Sequence, residues 1–230
     1  MIEGGHAVLA AIQARWPVQQ LLATPSDIAA QWQIEKIETQ PVSAEILEYL
    51  SDSNTSPGVI AIAALPGAPV VNWSIQSLTL VLDGINDPGN AGTLIRAADA
   101  AGASAVALTA GSADAFGPKA VRASAGSLFH LPIVQHEKTA SHELITSLNH
   151  QAIPIVIAAA HDGVSCYEYS WPRHCALVLG HETRGVSPTF EAAATARVTI
   201  PMFGRAESLN VAAAGAVLLY AWRAQQIDKH

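Results

Sequence analysis

The second two-thirds of the chain alternates short apolar segments with helices, and this alternation limits the possible folds more than any other feature. From Leu78 onward the apolar segments are LTLVLDG, AVALTA, HLPIVQ, IPIVIAAA, CALVLG and ARVTIPM. Between and after them lie helical segments, among them residues 90–102, SHELITSLNH and the long C-terminal SLNVAAAGAVLLYAWRAQQ. Short β-branched strands separated by helices predict an α/β fold with a mostly parallel sheet and helices on both faces.

Residues 1–65 predict a smaller α/β domain that precedes this sheet. Helices are expected in GGHAVLAAIQAR, in SDIAAQWQ and in VSAEILEYLSD, the last capped by Ser43, and strands in VQQLLAT and SPGVIAIAAL. Two prolines in PGAPVVNWS then break the pattern. We therefore expect a linker over residues 66–76 and a second domain over residues 77–230.

Composition excludes several classes of protein. Half of the residues are hydrophobic and 13% are charged, which predicts a substantial core. No apolar run is long enough to span a bilayer, and the N-terminus lacks the basic segment of a signal peptide, so we expect a cytoplasmic protein without a membrane partner. Cys166 and Cys175 are too few and too badly spaced for a disulfide framework or a zinc site, so no metal is expected.

The net charge of −7 argues against general binding to polyanions. Residues 1–76 hold seven acidic residues against Arg15 and Lys36, whereas residues 77–230 hold twelve acidic and ten basic residues. Any contact with phosphate is therefore expected mainly in the second domain, through local clusters of cations.

Three loops follow strands of the predicted sheet: DPGNAG, GHETRG and PMFGRAES. Ligands of parallel sheets bind at the carboxyl ends of the strands. The first loop lacks both G-x-G-x-x-G and G-K-[ST], so it is neither a dinucleotide fingerprint nor a P-loop. It is also compatible with an ordinary strand–turn–helix connection in which Asn90 caps the helix and Gly92 allows close packing. However, Arg96 lies alone in an apolar helix, which suggests a bidentate contact with phosphate or carboxylate.

The other two loops have their own signals. Gly180 and Gly185 allow a sharp turn and a close approach to a ligand, and Glu182 between them can orient a donor or cap the turn. In the third loop, Ser208 and Asn210 stand at the start of the last helix, with Ser208 as the expected N-cap.

Taken in order, these loops resemble the three signature motifs of the SpoU-type (TrmH-like) RNA ribose methyltransferases, which belong to the knotted SPOUT superfamily. Asn90, Gly92 and Arg96 match N-x-G-x-x-x-R, GHETRG matches the second motif, and IPM followed by SLNV matches the third. FGPKAVRASAGSLFHLPI also resembles the K-x-x-R-x-S-x-G segment of that family. The resemblance covers roughly residues 77–225.

The resemblance implies transfer of a methyl group from S-adenosylmethionine to a ribose 2′-hydroxyl of rRNA or tRNA. It implies a C-terminal trefoil knot and a homodimer in which the last helix packs across the two-fold axis. The small residues of that helix, 212–216, fit either this dimer or burial in the chain's own core. Residues of the knot loops are implied to bind the cofactor, mostly through backbone atoms: Gly180, Ile200 and Leu209, with Met202 nearby.

The resemblance also implies roles for the polar residues. The family's motif-one arginine, here Arg96, has been proposed as a general base, but a guanidinium stays protonated in proteins. We therefore expect Arg96 to grip the phosphate of the nucleotide and to stabilise alkoxide charge, while a phosphate oxygen or water takes the proton. Asn90 and Asn210 are expected to orient the ribose and Arg96, with Glu182 and Ser208 as supporting contacts. Cations in or beside the loops, Lys119, Arg122 and Arg184, are expected to bind substrate RNA.

The N-terminal domain departs from the family's pattern. MIEGGHAVLAAI resembles the start of the relatives' RNA-binding domain, but the basic residues that often precede it are missing. We expect a shortened, acidic domain that binds RNA poorly or serves packing alone. His130 and His181 are expected to be neither catalytic nor metal ligands. Two alternatives stay open at this point: an RNA-binding relative without catalysis, and another nucleotide-binding α/β enzyme such as a dehydrogenase.

Overall fold

The computed structural model describes residues 1–30, 32, 37–51, 58–67, 77–135 and 141–227, which form two β-sheets. Most of the predicted linker, residues 68–76, lies outside the described residues. Within the described ranges, no helix combines the length and the apolar character needed to cross a bilayer.

The N-terminal sheet has four strands. Its region contains β1 (Ile2–Glu3), α1 (Gly5–Gln13), β2 (Val18–Ala23), α2 (Pro25–Ala30), β3 (Glu38–Pro41), α3 (Ala44–Leu50) and β4 (Val59–Ala63). The strand order is β1-β4-β2-β3, with β2 parallel to β3 and antiparallel to β4. The sequence did not predict β1 and β3, because one has two residues and the other is polar. The Oγ of Ser43 accepts a hydrogen bond from the backbone N–H of Ile46, so Ser43 caps α3 as expected.

The second sheet has seven strands, and all of its pairings are parallel. Its region contains β5 (Leu78–Asp83), α4 (Pro88–Ala101), β6 (Ala105–Leu108), α5 (Pro118–Ser124), β7 (Ile133–Gln135), α6 (Ser141–His150), β8 (Ile155–Ala158), β9 (Val164–Ser165), β10 (Cys175–Gly180), α7 (Pro188–Ala193), β11 (Ala196–Thr199) and α8 (Val211–Ile227), with a short 3₁₀ turn at Ser127–Phe129. The strand order is β7-β6-β5-β10-β8-β11-β9. The predicted α/β class with a mostly parallel sheet is confirmed, although the two-residue strand β9 was not anticipated.

Helices cover both faces of this sheet, as the burial of alternate strand residues shows. Leu80 and Leu82 of β5 pack in a core with residues of α4 and α8, whereas Val81 packs on the other side with residues of α6 and α7. All six residues of β5 and of β10 are buried, which is why both read as continuous apolar runs.

The register of β5 and β10 positions the functional loops. The two strands pair along their full length, from Leu78 opposite Cys175 to Asp83 opposite Gly180. Both strands therefore end at the same level, and the loops that follow them leave the sheet side by side.

Two glycines let α4 lie close to its neighbours. A Cβ on Gly92 would overlap the backbone carbonyl of Ala120 in α5 and come within 2.6 Å of the Cβ of Ala123. A Cβ on Gly215 of α8 would overlap Leu94 of α4 and come within 2.7 Å of Leu179. The expected close packing at Gly92 is thus present, and Gly215 serves the core of its own chain.

An ion pair, whose carboxylate is buried, joins the region of the N-terminal sheet to that of the second sheet. The carboxylate of Glu3, whose side chain is 1% exposed, lies 2.7 Å from Nη1 of Arg122 in α5. The same oxygen accepts a hydrogen bond of 2.8 Å from the Oγ of Ser51. Breaking such a pair leaves a buried charge without its partner, so it ties β1 firmly to α5.

The Gly92→Ala substitution tests the packing of α4 on α5. Helix propensity alone favours alanine by about 1 kcal/mol. We expect the clash with the Ala120 carbonyl to outweigh this gain, because a backbone atom cannot move aside cheaply, and to lower the free energy of unfolding by roughly 1–3 kcal/mol. Urea denaturation measures the change. Gly67→Ala, where an added Cβ would meet nothing within 4 Å, is the control. A Gly92→Ala variant as stable as the parent would contradict this packing.

Candidate active site

A cavity of about 470 Å³ opens at the carboxyl ends of β8, β10 and β11. Its volume lies in the range of pockets that enclose a cofactor-sized ligand. The four residues predicted to contact the cofactor, Gly180, Ile200, Met202 and Leu209, all lie in its wall. The described wall comprises residues 158–160, 179–183, 185, 198–200, 202, 207–211, 214 and 218.

One wall of the cavity, the loop over residues 180–185, is shaped by its main chain. His181 and Gly185 exchange two backbone hydrogen bonds of 3.0 and 2.9 Å, which fold the loop back on itself. Gly185 has a φ of +70°, a conformation that favours glycine. A Cβ on Gly180 would overlap the backbone of Gly185 and Val186. The glycines at both ends of GHETRG are therefore required by the turn itself.

A buried carboxylate, which the sequence analysis missed, holds the exit of this loop. Asp83 ends β5, and its Oδ2 accepts a hydrogen bond of 2.7 Å from the backbone N–H of Ser187. Its Oδ1 accepts one of 2.9 Å from the hydroxyl of Thr109 at the end of β6. An acidic residue that ends an otherwise apolar strand was the available signal.

Asn90 links the three predicted loops. Its Nδ2 donates a hydrogen bond of 2.9 Å to Oε1 of Glu182, and its Oδ1 accepts one of 3.2 Å from Nδ2 of Asn210. The alternative in which Asn90 caps α4 is wrong. Asp87 is the N-cap, and its Oδ1 accepts a hydrogen bond of 2.8 Å from the backbone N–H of Asn90. The side chain of Asn90 is therefore free to connect the loops.

Asn210 has a second function at the start of α8. Its Oδ1 accepts a hydrogen bond of 2.9 Å from the backbone N–H of Ala212, so Asn210 caps this helix. The expectation that Ser208 is the N-cap is wrong, because the helix begins at Val211. Ser208 instead lies exposed in the wall of the cavity.

The predicted cations fall into two groups. Arg96 and Arg184 are exposed, and among the described residues neither side chain makes a hydrogen bond or an ion pair. Lys119 and Arg122 are already paired, with Asp87 at 3.1 Å and with Glu3 at 2.7 Å. Arg96 lies on α4 and does not line the cavity of its own chain.

Both the N-terminus of α4 and Lys119 interact with the carboxyl group of Asp87. Its hydrogen bond from the backbone N–H of Asn90, followed by the one from Lys119, lowers the pKa of Asp87 below its ordinary value. Both interactions favour the ionised form. The charge at this N-terminus is thus matched to the dipole of α4.

Further wall residues escaped the sequence analysis. Residues 158–160 are the last residue of β8 and the two that follow it. Because β8 lies between β10 and β11, its carboxyl end necessarily faces the cavity. The position of IPIVIAAA within the sheet, not its composition, was the missing information. Thr183 and Glu207 also line the cavity from within the second and third loops. Within the described part of the chain, no group of three His, Cys, Asp or Glu residues is arranged to hold a metal ion.

Comparison with known families agrees with this arrangement of loops. The SpoU rRNA methylase family matches residues 77–220, and the family of RNA 2′-O ribose methyltransferase substrate-binding domains matches residues 1–67. The chain belongs to the SpoU rRNA methylase family.

The similarity to relatives and to solved structures extends over almost the whole chain. The 23S rRNA (guanosine(2553)-2′-O)-methyltransferase RlmP of Bacillus subtilis is 32% identical over 96% of this chain and 86% of its own length. The crystal structure of the SpoU methyltransferase AviRb from Streptomyces viridochromogenes in complex with AdoMet has a TM-score of 0.88 and 28% identity, covering 98% of this chain and 89% of that one. A TrmH-family protein of Porphyromonas gingivalis has a TM-score of 0.85 and 35% identity, covering 97% and 88%.

The Asp87→Ala substitution tests the cap that frees Asn90 in this SpoU-family site. We expect the free energy of unfolding at neutral pH to fall by roughly 1 kcal/mol, because the first turn of α4 loses its acceptor. Asp87→Asn keeps an acceptor oxygen and serves as the control. Urea denaturation measures both variants.

The effect of Asp87 should depend on pH in one direction. Because folding lowers the pKa of Asp87, its ionised form stabilises the protein above the ordinary carboxyl pKa of 3.8. That contribution is lost as the pH falls through the lowered pKa, so the difference between the parent and Asp87→Asn should shrink in acid. A difference that grows in acid would contradict this assignment.

Proposed function

We propose that this protein transfers a methyl group from S-adenosylmethionine to a ribose 2′-hydroxyl of ribosomal or transfer RNA. The observation that carries the proposal is the contact of Asn90 with both Glu182 and Asn210 beside the cavity. It brings the three predicted loops together at the carboxyl edge of the sheet. Relatives that the chain resembles over nearly its full length are named as rRNA 2′-O-methyltransferases, and AviRb has been solved with AdoMet.

The cavity fits S-adenosylmethionine. Gly180, Ile200 and Leu209 would present backbone groups to the adenine, and Met202 would cover it with an apolar side chain. The carboxylates of Glu182 and Glu207 lie in the same wall and complement a cationic ligand. When bound, this cofactor supplies an electrophilic methyl group on a sulfonium.

The chain's own residues would hold the ribose in line with that methyl group. A ribose hydroxyl is a weak nucleophile, so orientation and loss of its proton both matter. Asn90 and Asn210 would orient the ribose, and Glu182 and Ser208 would support them. Arg96 would bind the adjacent phosphate with its bidentate fork and stabilise the developing alkoxide, because a guanidinium cannot serve as a base at neutral pH. The proton would pass to a phosphate oxygen or to water.

The free cations fit the substrate better than the paired ones. Arg96 and Arg184 offer exposed guanidinium groups for phosphate. Lys119 is exposed and can exchange Asp87 for a phosphate, since an exposed ion pair is weak. Arg122 is held by the buried carboxylate of Glu3, so its part in binding RNA would be to fix the domains.

We also propose a cytoplasmic homodimer with a C-terminal trefoil knot. Tyr220 and Ile227 of α8 are 53% and 65% exposed, which leaves apolar surface for a second copy. In such a dimer, Arg96, which does not line its own cavity, could serve the partner's site. The knot is proposed because residues 77–220 match the SpoU rRNA methylase family, and the motifs resemble those of the knotted SPOUT superfamily. A crystal structure in which the chain is not knotted would contradict the knot. Recovery of the protein in the membrane fraction of cells would contradict the cytoplasmic location.

The dimer has a direct test. We expect light scattering at micromolar protein concentrations to give twice the chain mass of 24.0 kDa. The charged substitution Tyr220→Glu should shift the protein towards monomer, because it places a carboxylate in the apolar contact. A parent protein that is already monomeric would contradict the dimer.

The proposed reaction is tested with unmodified rRNA and tRNA transcripts and methyl-labelled S-adenosylmethionine. We expect label in dinucleotides that resist alkali, since a 2′-O-methyl group blocks cleavage of the adjacent phosphodiester. Label confined to bases, or no transfer to either RNA class, would overturn the function. Calorimetric titration should show binding of S-adenosylmethionine and none of NAD.

The Arg96→Lys variant tests the role of Arg96 in the same assay. It keeps the charge and removes the planar fork, so we expect kcat to fall by roughly a hundredfold while the Kd for S-adenosylmethionine is unchanged. Arg197 of β11 is paired with Glu191 of α7, so Arg197→Lys is the matched control and should retain full activity. Full turnover by Arg96→Lys would remove Arg96 from the mechanism.

A further inference from the structure

We propose that the cleft between the two domains, beside Trp16 and Phe116, binds an unpaired nucleobase of the RNA substrate. This site is separate from the cavity at the carboxyl edge of the sheet. The inference rests on the proposed RNA methyltransferase function, and it assigns a specific role to the acidic N-terminal domain.

The cleft is small and apolar. Its volume is about 210 Å³, below the range of pockets for drug-sized ligands, and it suits a single planar ring. The rings of Trp16 and Phe116 are 6.1 Å apart at an angle of 45°, so they do not stack on each other. Both are only partly buried and leave ring surface in the cleft. The lining residues are Arg15, Trp16, Pro17 and Pro66 from the N-terminal domain, and Phe116, Leu131, Pro132 and Ile133 from the second.

Trp16 is held in place before any ligand arrives. Its Nε1 donates a hydrogen bond of 3.3 Å to the backbone carbonyl of Phe129. Its ring also packs edge-on against that of Phe129, with centroids 4.8 Å apart. The ion pair of Glu3 with Arg122 also holds β1 of the N-terminal region against α5. A base that enters the cleft would therefore meet a preformed aromatic surface, at little entropic cost.

Arg15 places a positive charge at this cleft. It follows the end of α1 with a φ of +58°, and the backbone N–H groups of Arg15 and Trp16 donate hydrogen bonds to the carbonyls of Ile12 and Ala11, which ends the helix. Its side chain is exposed and makes no hydrogen bond or ion pair within the described ranges. Residues 1–76 contain only one other cation, Lys36. An exposed arginine without a partner among the described residues, in an otherwise acidic domain, offers the cleft a contact for an anionic group such as a phosphate.

A series of contacts links the cleft to the candidate active site through the first turn of α5. Phe116 precedes Gly117, the N-cap of α5, and Lys119 of the first turn pairs with Asp87. Asp87 in turn caps α4, where it bonds the backbone of Asn90. An RNA strand that runs from Asn90 over Lys119 to Arg15 meets cations along its backbone and aromatic rings at its end. An apolar peptide would use the rings and leave both cations unmatched.

The test compares two probes: a short single-stranded oligouridylate, and the same ribose-phosphate chain without bases. Fluorescence anisotropy gives their Kd values with the full-length protein over a range of KCl concentrations. We expect the parent to prefer the probe with bases by roughly tenfold, and Phe116→Ala to abolish that preference with the salt dependence unchanged. Arg15→Gly, which suits the positive φ and cannot add strain, should lower the slope of log Kd against log salt by about 0.7 and keep the preference for bases.

Matched controls separate the cleft from the rest of the surface. Tyr49→Ala removes an aromatic ring of the N-terminal region that is 89% exposed. Arg197→Gln removes a cation on β11, which lies five strands away from β7 at the cleft. Neither should change the Kd of either probe. Phe116→Leu replaces Phe116→Ala if thermal unfolding shows that the latter is not folded. In a second measurement, an oligonucleotide containing 4-thiouridine should crosslink to residues 15–17 or 116, as identified by mass spectrometry.

The failure of this inference is distinguishable from that of the proposed function. If the parent methylates RNA but Phe116→Ala and Arg15→Gly show unchanged KM, unchanged Kd and crosslinks elsewhere, the nucleobase site is wrong and the methyltransferase stands. If the parent binds bases as predicted but methylates neither rRNA nor tRNA, the cleft stands and the reaction is wrong. If the parent binds both probes equally well, the proposal that the cleft binds a nucleobase is wrong.

Discussion

The side-chain amide of Asn90 is the contact on which the arrangement of the three loops depends. It donates to Glu182 of the second loop and accepts from Asn210 of the third. The side chain of Asn90 can make both hydrogen bonds because Asp87 supplies the cap of α4 and because β5 and β10 end at the same level of the sheet. A helix cap and a strand register thus determine the geometry of the proposed chemistry.

The pairing of cations divides the positive charge of this acidic protein into two kinds. Arg122 is matched by a buried carboxylate and joins the domains, whereas Arg96, Arg184 and Arg15 keep exposed guanidinium groups. Counting charges along the sequence does not reveal this division, because the partner of Arg122 is Glu3, which lies 119 positions away. Under the proposed function, Arg96 and Arg184 would bind phosphate at the candidate active site, and Arg15 would do so at the cleft.

Most of the second sheet could be predicted from the sequence, because buried parallel strands leave continuous apolar runs between glycines and prolines. Strands β1, β3 and β9 could not, since they are short or polar and exist through their pairing partners. The loops of the candidate site were found as ordered motifs. Ser208 was wrongly expected to cap α8, where Asn210 is the cap. The alternative that Asn90 caps α4 was also wrong, because Asp87, directly before Pro88, is the cap. Asp, Asn and Ser are near-equal as N-caps, so residue type alone did not decide between them.

The second loop, residues 180–185, is built from main-chain contacts, and this limits how the cavity could be redesigned. Exchanging Arg184 would leave the path of the loop unchanged, because the backbone bonds between His181 and Gly185 do not involve its side chain. Gly180 offers no atom that could be trimmed to gain space. Engineering the enzyme to accept sulfonium donors with bulkier alkyl groups would therefore have to proceed through Met202 and Leu209, whose exposed side chains can be shortened without disturbing the backbone.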